Sequence, residues 1–153
     1  MKFEDLVVGF EIRSPLRAVS RHEITAFAEL YDRQPIHLGG ANSPDALFDD
    51  IIGSGFMTLA LTWQLWLDCG IQGTDGLGGL GLEDCRWHRA LRPDTSVQGH
   101  FTIAGKRVSS TGLGIVTYAM RLNEIDRSTD SELCLVEFTT IGIMARRDAN
   151  RPS

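Results

Sequence analysis

An aspartate and a histidine on either side of a proline are the residues of this chain best suited to acid–base chemistry. They lie in the stretch YDRQPIH, where Asp32 and His37 are five positions apart and Pro35 stands between them. A carboxylate and an imidazole that reach one substrate can accept and return protons near neutral pH. Spacing alone does not distinguish such a pair from an ordinary turn after a helix. The helices and strands predicted around the two residues are needed to tell these cases apart.

A helix is predicted directly before the pair. The sequence SRHE has the form of a capping box, in which the Ser20 side chain accepts the Glu23 amide and the glutamate reaches back. Apolar residues then recur at helical spacing. Pro35 disfavours helical geometry in the residue before it, so we expect the helix to end at or just before Asp32. Asp32 is thus predicted at a helix C-terminus and His37 just past a proline turn.

Two further helices are predicted. A short one has Ser43 as its N-cap and Pro44 at its first helical position. A longer one covers 55–69 and is apolar around most of its circumference, which predicts burial on most sides. Its first amides have no partner within the helix. Because glycine lets a ligand approach the backbone closely, Gly55 is a candidate oxyanion donor.

The rest of the chain is predicted to form strands. They are expected at 10–19, 80–91, 96–108, 113–123 and 132–146. Pro15 weakens the first strand or places it at an edge. Long sequential strands favour antiparallel pairing, and the apolar helix needs a sheet face to cover it. The predicted fold class is therefore α+β, with one domain over 1–147 and a flexible tail over 148–153.

Composition and charge narrow the classes of function. The 153 residues are 42% hydrophobic and carry a net charge of -5, which does not favour general nucleic-acid binding. The N-terminal stretch MKFEDLVVGF lacks the apolar run of a secretory signal. No apolar stretch reaches the roughly 20 residues of a membrane span. We therefore expect a cytoplasmic protein without nucleic-acid or membrane partners.

Three other motifs contain residue types that can bind metals, nucleotides or anions. Cys69, Cys85 and Cys134 are widely spaced and form no C-x-x-C pair, which argues against a zinc site or a disulfide framework. The stretch GLGGLG matches a dinucleotide-binding pattern but follows a helix and precedes a strand, so it predicts a flexible connection. The stretch CRWHRALRP is either a solvated strand end or a basic rim for an anion such as a phosphate.

Four segments together resemble the MaoC-like dehydratases, a family that includes the (R)-specific enoyl-CoA hydratases and has the hotdog fold. They are FAELYDRQPIHL, LFDDIIGSGFMTLAL, RWHRALRPDTSVQGHFTI and GLGIVTYAMRLN. The resemblance covers about residues 3–147. It implies an antiparallel sheet wrapped around the long apolar central helix, a homodimer, and an active site at the dimer interface with the acyl chain in a tunnel.

The hydratase-type motif, F-A-x-x-x-G-D-x-N-P-x-H-x-D followed by H-G-M, implies roles for single residues. Asp32 and His37 match the catalytic pair, and Gly55 matches the glycine whose amide binds the thioester oxygen. Ser54 stands where the family has histidine and is expected to add a hydrogen bond to the substrate.

The chain departs from that motif at a few positions. Gln34 replaces the asparagine, Gly39 replaces an acid, Phe56 replaces the methionine, and the P-G-D-T turn is shortened to Pro93-Asp94-Thr95. The acid–base pair and the glycine are kept, so the departures bear on the choice of substrate.

The resemblance implies a hydro-lyase that interconverts a 2-enoyl thioester, expected to be an acyl-CoA, and its 3-hydroxyacyl form. Candidates for contacts with the CoA phosphates are Arg86, Arg89 and Arg107. No metal and no cofactor is expected, because CoA is part of the substrate. Two alternatives stay open: an acyl-CoA thioesterase, and a catalytically inactive acyl-CoA-binding partner subunit.

Overall fold

Three helices and six strands make up the fold in a computed structural model that describes residues 1–39, 47–126, 128–129 and 131–147. The helices are α1 (Arg21–Tyr31), α2 (Pro35–Leu38) and α3 (Gly55–Asp68). The strands are β1 (Glu11–Arg13), β2 (Arg17–Val19), β3 (Gly76–Trp87), β4 (Thr95–Val108), β5 (Gly114–Asp126) and β6 (Ser131–Met144).

All six strands pair antiparallel in one sheet. The order is β1-β4-β5-β6-β3, and β2 also pairs with β4. Pro15 lies between the two short strands β1 and β2, so the predicted strand over 10–19 is split at the proline. Its two halves form one edge of the sheet and β3 forms the other. The predicted α+β class with an antiparallel sheet is confirmed.

The core lies between α3 and the sheet. Trp66 of α3 packs against Phe101 of β4 and Tyr118 of β5, with ring centroids 5.5 and 4.9 Å apart respectively. Leu61 and Leu65 are also buried on this side of the helix. Burying one large apolar side chain contributes about 1.5–3 kcal/mol. These side chains therefore stabilise the packing of α3 against the sheet.

The predicted burial of α3 on most sides is confirmed, and one side of the helix is open in the single chain. Phe56 is 67% exposed and Leu67 is 46% exposed. Ala60 and Gln64 are exposed between them, so these residues form a stripe at helical spacing. The rest of the helix circumference is buried or half-buried, so this stripe is the open side of α3.

The prediction of a flexible connection over GLGGLG is wrong. Gly76 to Gly81 belong to β3 and pair with β6. The register shifts between Gly76 and Gly78 and again between Gly79 and Gly81. Glycine accommodates such bulges because it has no side chain to place. A glycine-rich stretch can therefore be a strand when it lies at an edge.

The segment after α1 differs from the predicted proline turn, because Pro35 begins the short helix α2 and His37 lies inside it. The predicted helix start at Ser43 and Pro44 and the predicted tail over 148–153 lie outside the described residues. Within the described part of the chain, no helix is long and apolar enough to cross a membrane. The single-domain boundary and the cytoplasmic location stay predictions.

The capping box of α1 is confirmed and gives a test of the scaffold. The Glu23 amide donates to Ser20 Oγ at 3.3 Å, and the Ser20 amide donates to Glu23 Oε2 at 2.8 Å. We expect Ser20→Ala to lower the free energy of unfolding by about 1 kcal/mol in urea titrations, because one helix amide loses its partner. The control Ser110→Ala, in an exposed turn, should change it by less than about 0.5 kcal/mol. Equal effects of the two substitutions would contradict the role of the cap.

Candidate active site

The structure brings Asp32 and His37 together, as the sequence predicts. Asp32 is the C-cap of α1, and His37 lies in α2 after two intervening residues that leave helical geometry. The His37 Nε2 atom is 3.3 Å from Asp32 Oδ2. The His37 side chain is 4% exposed and the Asp32 side chain 13% exposed, so both lie in a largely enclosed place.

The orientation of the His37 ring is set by a backbone carbonyl. His37 Nδ1 lies 2.7 Å from the Ile52 oxygen. A carbonyl oxygen only accepts, so Nδ1 carries the proton and donates it to Ile52. The other ring nitrogen, Nε2, is therefore the one that faces Asp32.

Two neutral donors hold the Asp32 carboxylate. Ser54 Oγ donates to Oδ2 at 2.6 Å, and Gln34 Nε2 donates to Oδ1 at 2.8 Å. The Ser54 hydrogen bond is the largest cause that lowers the pKa of Asp32, and the Gln34 hydrogen bond is the second. Partial burial opposes them, but the net pKa lies below its ordinary value of 3.8. Asp32 therefore stays ionised at neutral pH.

Ser54 serves two elements at once. It is the N-cap of α3, where its Oγ accepts the Phe56 amide at 3.2 Å, and the same hydroxyl donates its proton to Asp32. For Ser54 to donate a hydrogen bond to the substrate, as predicted, its hydroxyl group would have to turn away from Asp32. In the observed arrangement the serine positions the carboxylate.

Gly55 is the first residue of α3, and Trp87 packs against it. A Cβ at Gly55 would lie 2.9 Å from the Trp87 indole, so any larger residue here would force this ring to shift. The indole Nε1 donates to Thr58 Oγ1 at 3.1 Å and to the Gly55 oxygen at 3.3 Å. The Gly55 amide has no hydrogen-bond partner among the described residues. Sequence reasoning missed Trp87, because only tertiary packing places it at the helix start.

One cavity of about 660 Å³ joins these groups. Asp32, His37 and Gly55 line it together with apolar side chains such as Phe56 and Trp87. Small-molecule sites in proteins are typically of this size, largely apolar and equipped with a few polar groups. The arrangement therefore provides a proton-exchanging pair and an unpaired helix amide beside an apolar wall.

The three candidate arginines lie in different places. Arg89 lines the cavity that contains Asp32. Arg86 lines a separate cavity of about 380 Å³. Arg107 is exposed near the end of β4 and lines neither of these two cavities. Arg92, which sequence reasoning did not select, also lines the larger cavity and pairs with Asp49 at 2.7 Å.

Comparisons with known proteins bear on the family and the fold. The family model described as a MaoC like domain matches residues 7–123. The uncharacterized protein YdeM of Bacillus subtilis (strain 168) is 27% identical over 117 residues, which are 76% of this chain and 83% of YdeM.

Two solved structures are also similar. The MaoC-like dehydratase from Rhodospirillum rubrum has a TM-score of 0.80 and 26% identity, over 96% of this chain and 98% of its own. The unliganded R-hydratase PhaJ1 from Pseudomonas aeruginosa has a TM-score of 0.71 and 19% identity, over 95% of this chain and 85% of its own. The hotdog fold that the motif resemblance implied is confirmed.

The hydrogen bond between Ser54 and Asp32 can be tested directly. We expect Ser54→Ala to raise the pKa of Asp32 towards its ordinary value of 3.8, because the largest stabilising contact to the ionised form is lost. Carbon-13 NMR titration of the labelled carboxyl group measures this shift.

The matched control is Thr25→Ala, since the Thr25 hydroxyl bonds only carbonyls of its own helix. This variant should leave the titration midpoint of Asp32 where it is in the unmodified protein. An unchanged midpoint in Ser54→Ala would contradict the assigned contact.

Proposed function

The chain belongs to the MaoC-like domain family, and on that premise we propose that it is a hydratase or dehydratase. The reaction interconverts a 2-enoyl thioester and its 3-hydroxyacyl form, and we propose an acyl-CoA as the thioester. The observation that carries the proposal is the meeting of Asp32, His37 and the first amide of α3 in one cavity. Such a site offers proton transfer and oxyanion binding to one small molecule.

In the proposed mechanism His37 Nε2 is the proton acceptor. The Ile52 carbonyl keeps the proton of the neutral ring on Nδ1. The lone pair is then on Nε2, the ring nitrogen that lies next to Asp32. A water molecule hydrogen-bonded to both Nε2 and Asp32 would give one of its protons to the imidazole. The ring orientation does not change during this transfer, because Nδ1 keeps its carbonyl partner.

Asp32 has a complementary role in this proposal. Its lowered pKa makes it a weak base, so it remains a carboxylate while the proton goes to His37. The negative charge at 3.3 Å from Nε2 stabilises the imidazolium that forms. Asp32 also accepts the second hydrogen of the water and thereby aims its oxygen at the substrate. Gln34 and Ser54 keep the carboxylate in place during these steps.

The Gly55 amide is proposed to bind the thioester oxygen. When hydroxide adds to the β-carbon, negative charge moves onto that oxygen, and the helix start stabilises it through its free N–H and its dipole. One such donor is worth roughly 3–4 kcal/mol in the transition state. The Trp87 indole over Gly55 leaves no room for a side chain at this position unless the ring shifts.

The protons balance over the cycle. The water gives H⁺ to His37 Nε2 and its hydroxide to the β-carbon, and the double-bond electrons move to the thioester as an enolate. The imidazolium then gives its proton to the α-carbon, which restores the enolate to a thioester. His37 ends neutral and Asp32 ends ionised, as both began. The steps run in reverse for dehydration and involve no net oxidation or reduction. Because the residues named here and water supply every proton, we propose that the reaction uses no metal or cofactor.

The substrate would lie across the cavity with its two ends in different surroundings. Apolar residues such as Phe56 and Trp87 suit the acyl group. Arg89, at the same cavity, suits a phosphate of the CoA part, because a guanidinium binds phosphate oxygens in pairs. Arg86 and Arg107 lie outside this cavity and are less favoured for that contact.

We also propose that two copies of the chain pair through β3. Within the described residues β3 pairs only with β6, so its outer backbone groups are open to another strand. Leu77, Leu80 and Leu82 on this strand are 48%, 56% and 45% exposed. A second copy of β3 would cover these leucines and place the partner next to Trp87, which ends the strand at the cavity.

The catalytic assignment is tested by enoyl-CoA hydration with purified protein. We expect the unmodified chain to hydrate at least one 2-enoyl-CoA in a panel of short, medium and branched substrates. Asp32→Asn and His37→Ala should each lower kcat by about 10²–10⁴-fold, the range of positioned acid–base groups. The matched controls Asp68→Asn and His22→Ala change exposed residues outside the cavity and should retain full activity.

The same assay separates the proposed reaction from the alternatives. Release of free CoA would indicate a thioesterase, and tight binding of acyl-CoA without turnover would indicate an inactive partner subunit. Full activity in both Asp32→Asn and His37→Ala would overturn the assigned roles.

The proposed dimer is tested by light scattering after size exclusion. We expect the unmodified protein to have about twice the chain mass of 16.9 kDa. Leu80→Lys should be monomeric, because an edge-strand lysine opposes strand addition. The control Leu30→Lys, at a 70% exposed position of α1, should remain dimeric. A monomeric unmodified protein, or a dimeric Leu80→Lys, would contradict the β3 interface.

A further inference from the structure

A cluster of three metal-ligating side chains lies where β6 meets the end of β3. One ligand atom each of His88, Cys134 and Glu137 lies within 4.8 Å of the other two. We propose that this cluster is a binding site for Zn²⁺ or a similar borderline-soft divalent cation. Imidazole nitrogen, thiolate sulfur and carboxylate oxygen are the ligands that zinc takes in proteins. A thiolate with an imidazole selects such ions over Mg²⁺ and Ca²⁺.

A β-bulge puts Cys134 and Glu137 on one face of β6. In a regular strand, residues three apart point to opposite faces. Here Leu122 pairs with Val136 and Asn123 pairs with Cys134, so Leu135 is an extra residue in β6. Leu135 and Val136 are both buried, and the side chains on either side of them point away from the core together. Bulges commonly re-aim side chains in this way.

The same bulge fixes His88. The His88 amide donates to the Leu135 oxygen at 2.9 Å, and the Arg89 amide approaches the same oxygen at 3.4 Å. The residue after β3 is therefore anchored to the irregular point of β6. His88 Nε2 reaches Glu137 Oε1 at 2.9 Å.

The Glu137 carboxylate has one oxygen available to the cluster. Arg121 Nη2 occupies Oε2 at 2.9 Å, which leaves Oε1 for the cluster. A coordinated divalent cation holds a thiol ligand such as Cys134 deprotonated.

The geometry requires only side-chain adjustment. Bonds of about 2.0–2.3 Å to a tetrahedral zinc place the ligand atoms roughly 3.3–3.8 Å apart. The His88–Glu137 contact would lengthen, and the Cys134 sulfur would rotate inwards, while the backbone stays as it is. Water would fill the fourth position. Cysteine spacing could not predict this site, because the ligands come from two chain segments and meet only through the bulge.

The test is a titration of the full chain with Zn²⁺ after removal of metals by a chelator. We expect one Zn²⁺ per chain by isothermal calorimetry. Cys134→Ser and His88→Ala should weaken binding by at least the roughly 10–100-fold that loss of an outer-shell partner costs. The controls Cys85→Ser and His22→Ala, at another half-buried thiol and an exposed histidine, should bind as the unmodified protein does.

Co²⁺ substitution identifies the ligand directly. The unmodified protein should show a thiolate-to-cobalt charge-transfer band in the near ultraviolet, and Cys134→Ser should lose it. A readout that needs no variant is the alkylation rate of each cysteine by peptide mass spectrometry. Zn²⁺ should slow alkylation of Cys134 and leave that of Cys85 unchanged. Absent binding by the unmodified protein, an unchanged affinity in Cys134→Ser, or equal alkylation rates with and without Zn²⁺ would overturn the proposal.

Discussion

The hydrogen bond from Ser54 to Asp32 is the contact on which the geometry of the site depends. It spans 2.6 Å between the residue that ends α1 and the residue that caps α3. The same hydroxyl accepts the Phe56 amide, so one side chain fixes the carboxylate and the first turn of α3 together. The distance between the proposed proton-transfer pair and the Gly55 amide is therefore set by this serine. A catalytic geometry held to fractions of an ångström needs such a supporting contact.

A second constraint acts on His37. The one-turn helix α2 would be marginal alone, but its histidine is buried and bonded to the Ile52 carbonyl in the segment that leads into α3. The Ile52 amide in turn donates to the Ile36 oxygen at 3.1 Å. These two bonds hold α2 against the chain that precedes α3. The acid–base pair is therefore held by three short segments, namely the end of α1, the helix α2 and the chain that leads into α3. The sheet supports these segments through its contacts with α3.

Local signals predicted the elements that carry the site, and tertiary contacts decided the rest. The capping box at Ser20 starts α1, and the helix ends before Pro35, as the sequence indicates. The same proline begins α2 where a turn was predicted. The partner of Ser54 and the position of Trp87 depend on how distant segments pack, so spacing could not show them.

The same reasoning explains where the fold differs from the prediction. The glycine-rich stretch became a strand because β6 offered an edge to pair with. The apolar circumference of α3 predicted burial on most sides, and the sheet of one chain leaves only the stripe from Phe56 to Leu67 open. Propensity and periodicity describe a segment alone, and an edge or a partner surface changes its outcome.

The central claim is that one pair, Asp32 and His37, delivers both the hydroxide and the proton from a single wall of the cavity. Hydration of a 2-enoyl-CoA in D₂O tests it most directly, with the configuration at both carbons of the product read by NMR. The account predicts syn addition, with deuterium at the α-carbon on the same face as the new hydroxyl group, because His37 Nε2 returns the proton from the side on which water attacked. Anti addition would contradict the account, since it requires a second proton donor on the opposite wall.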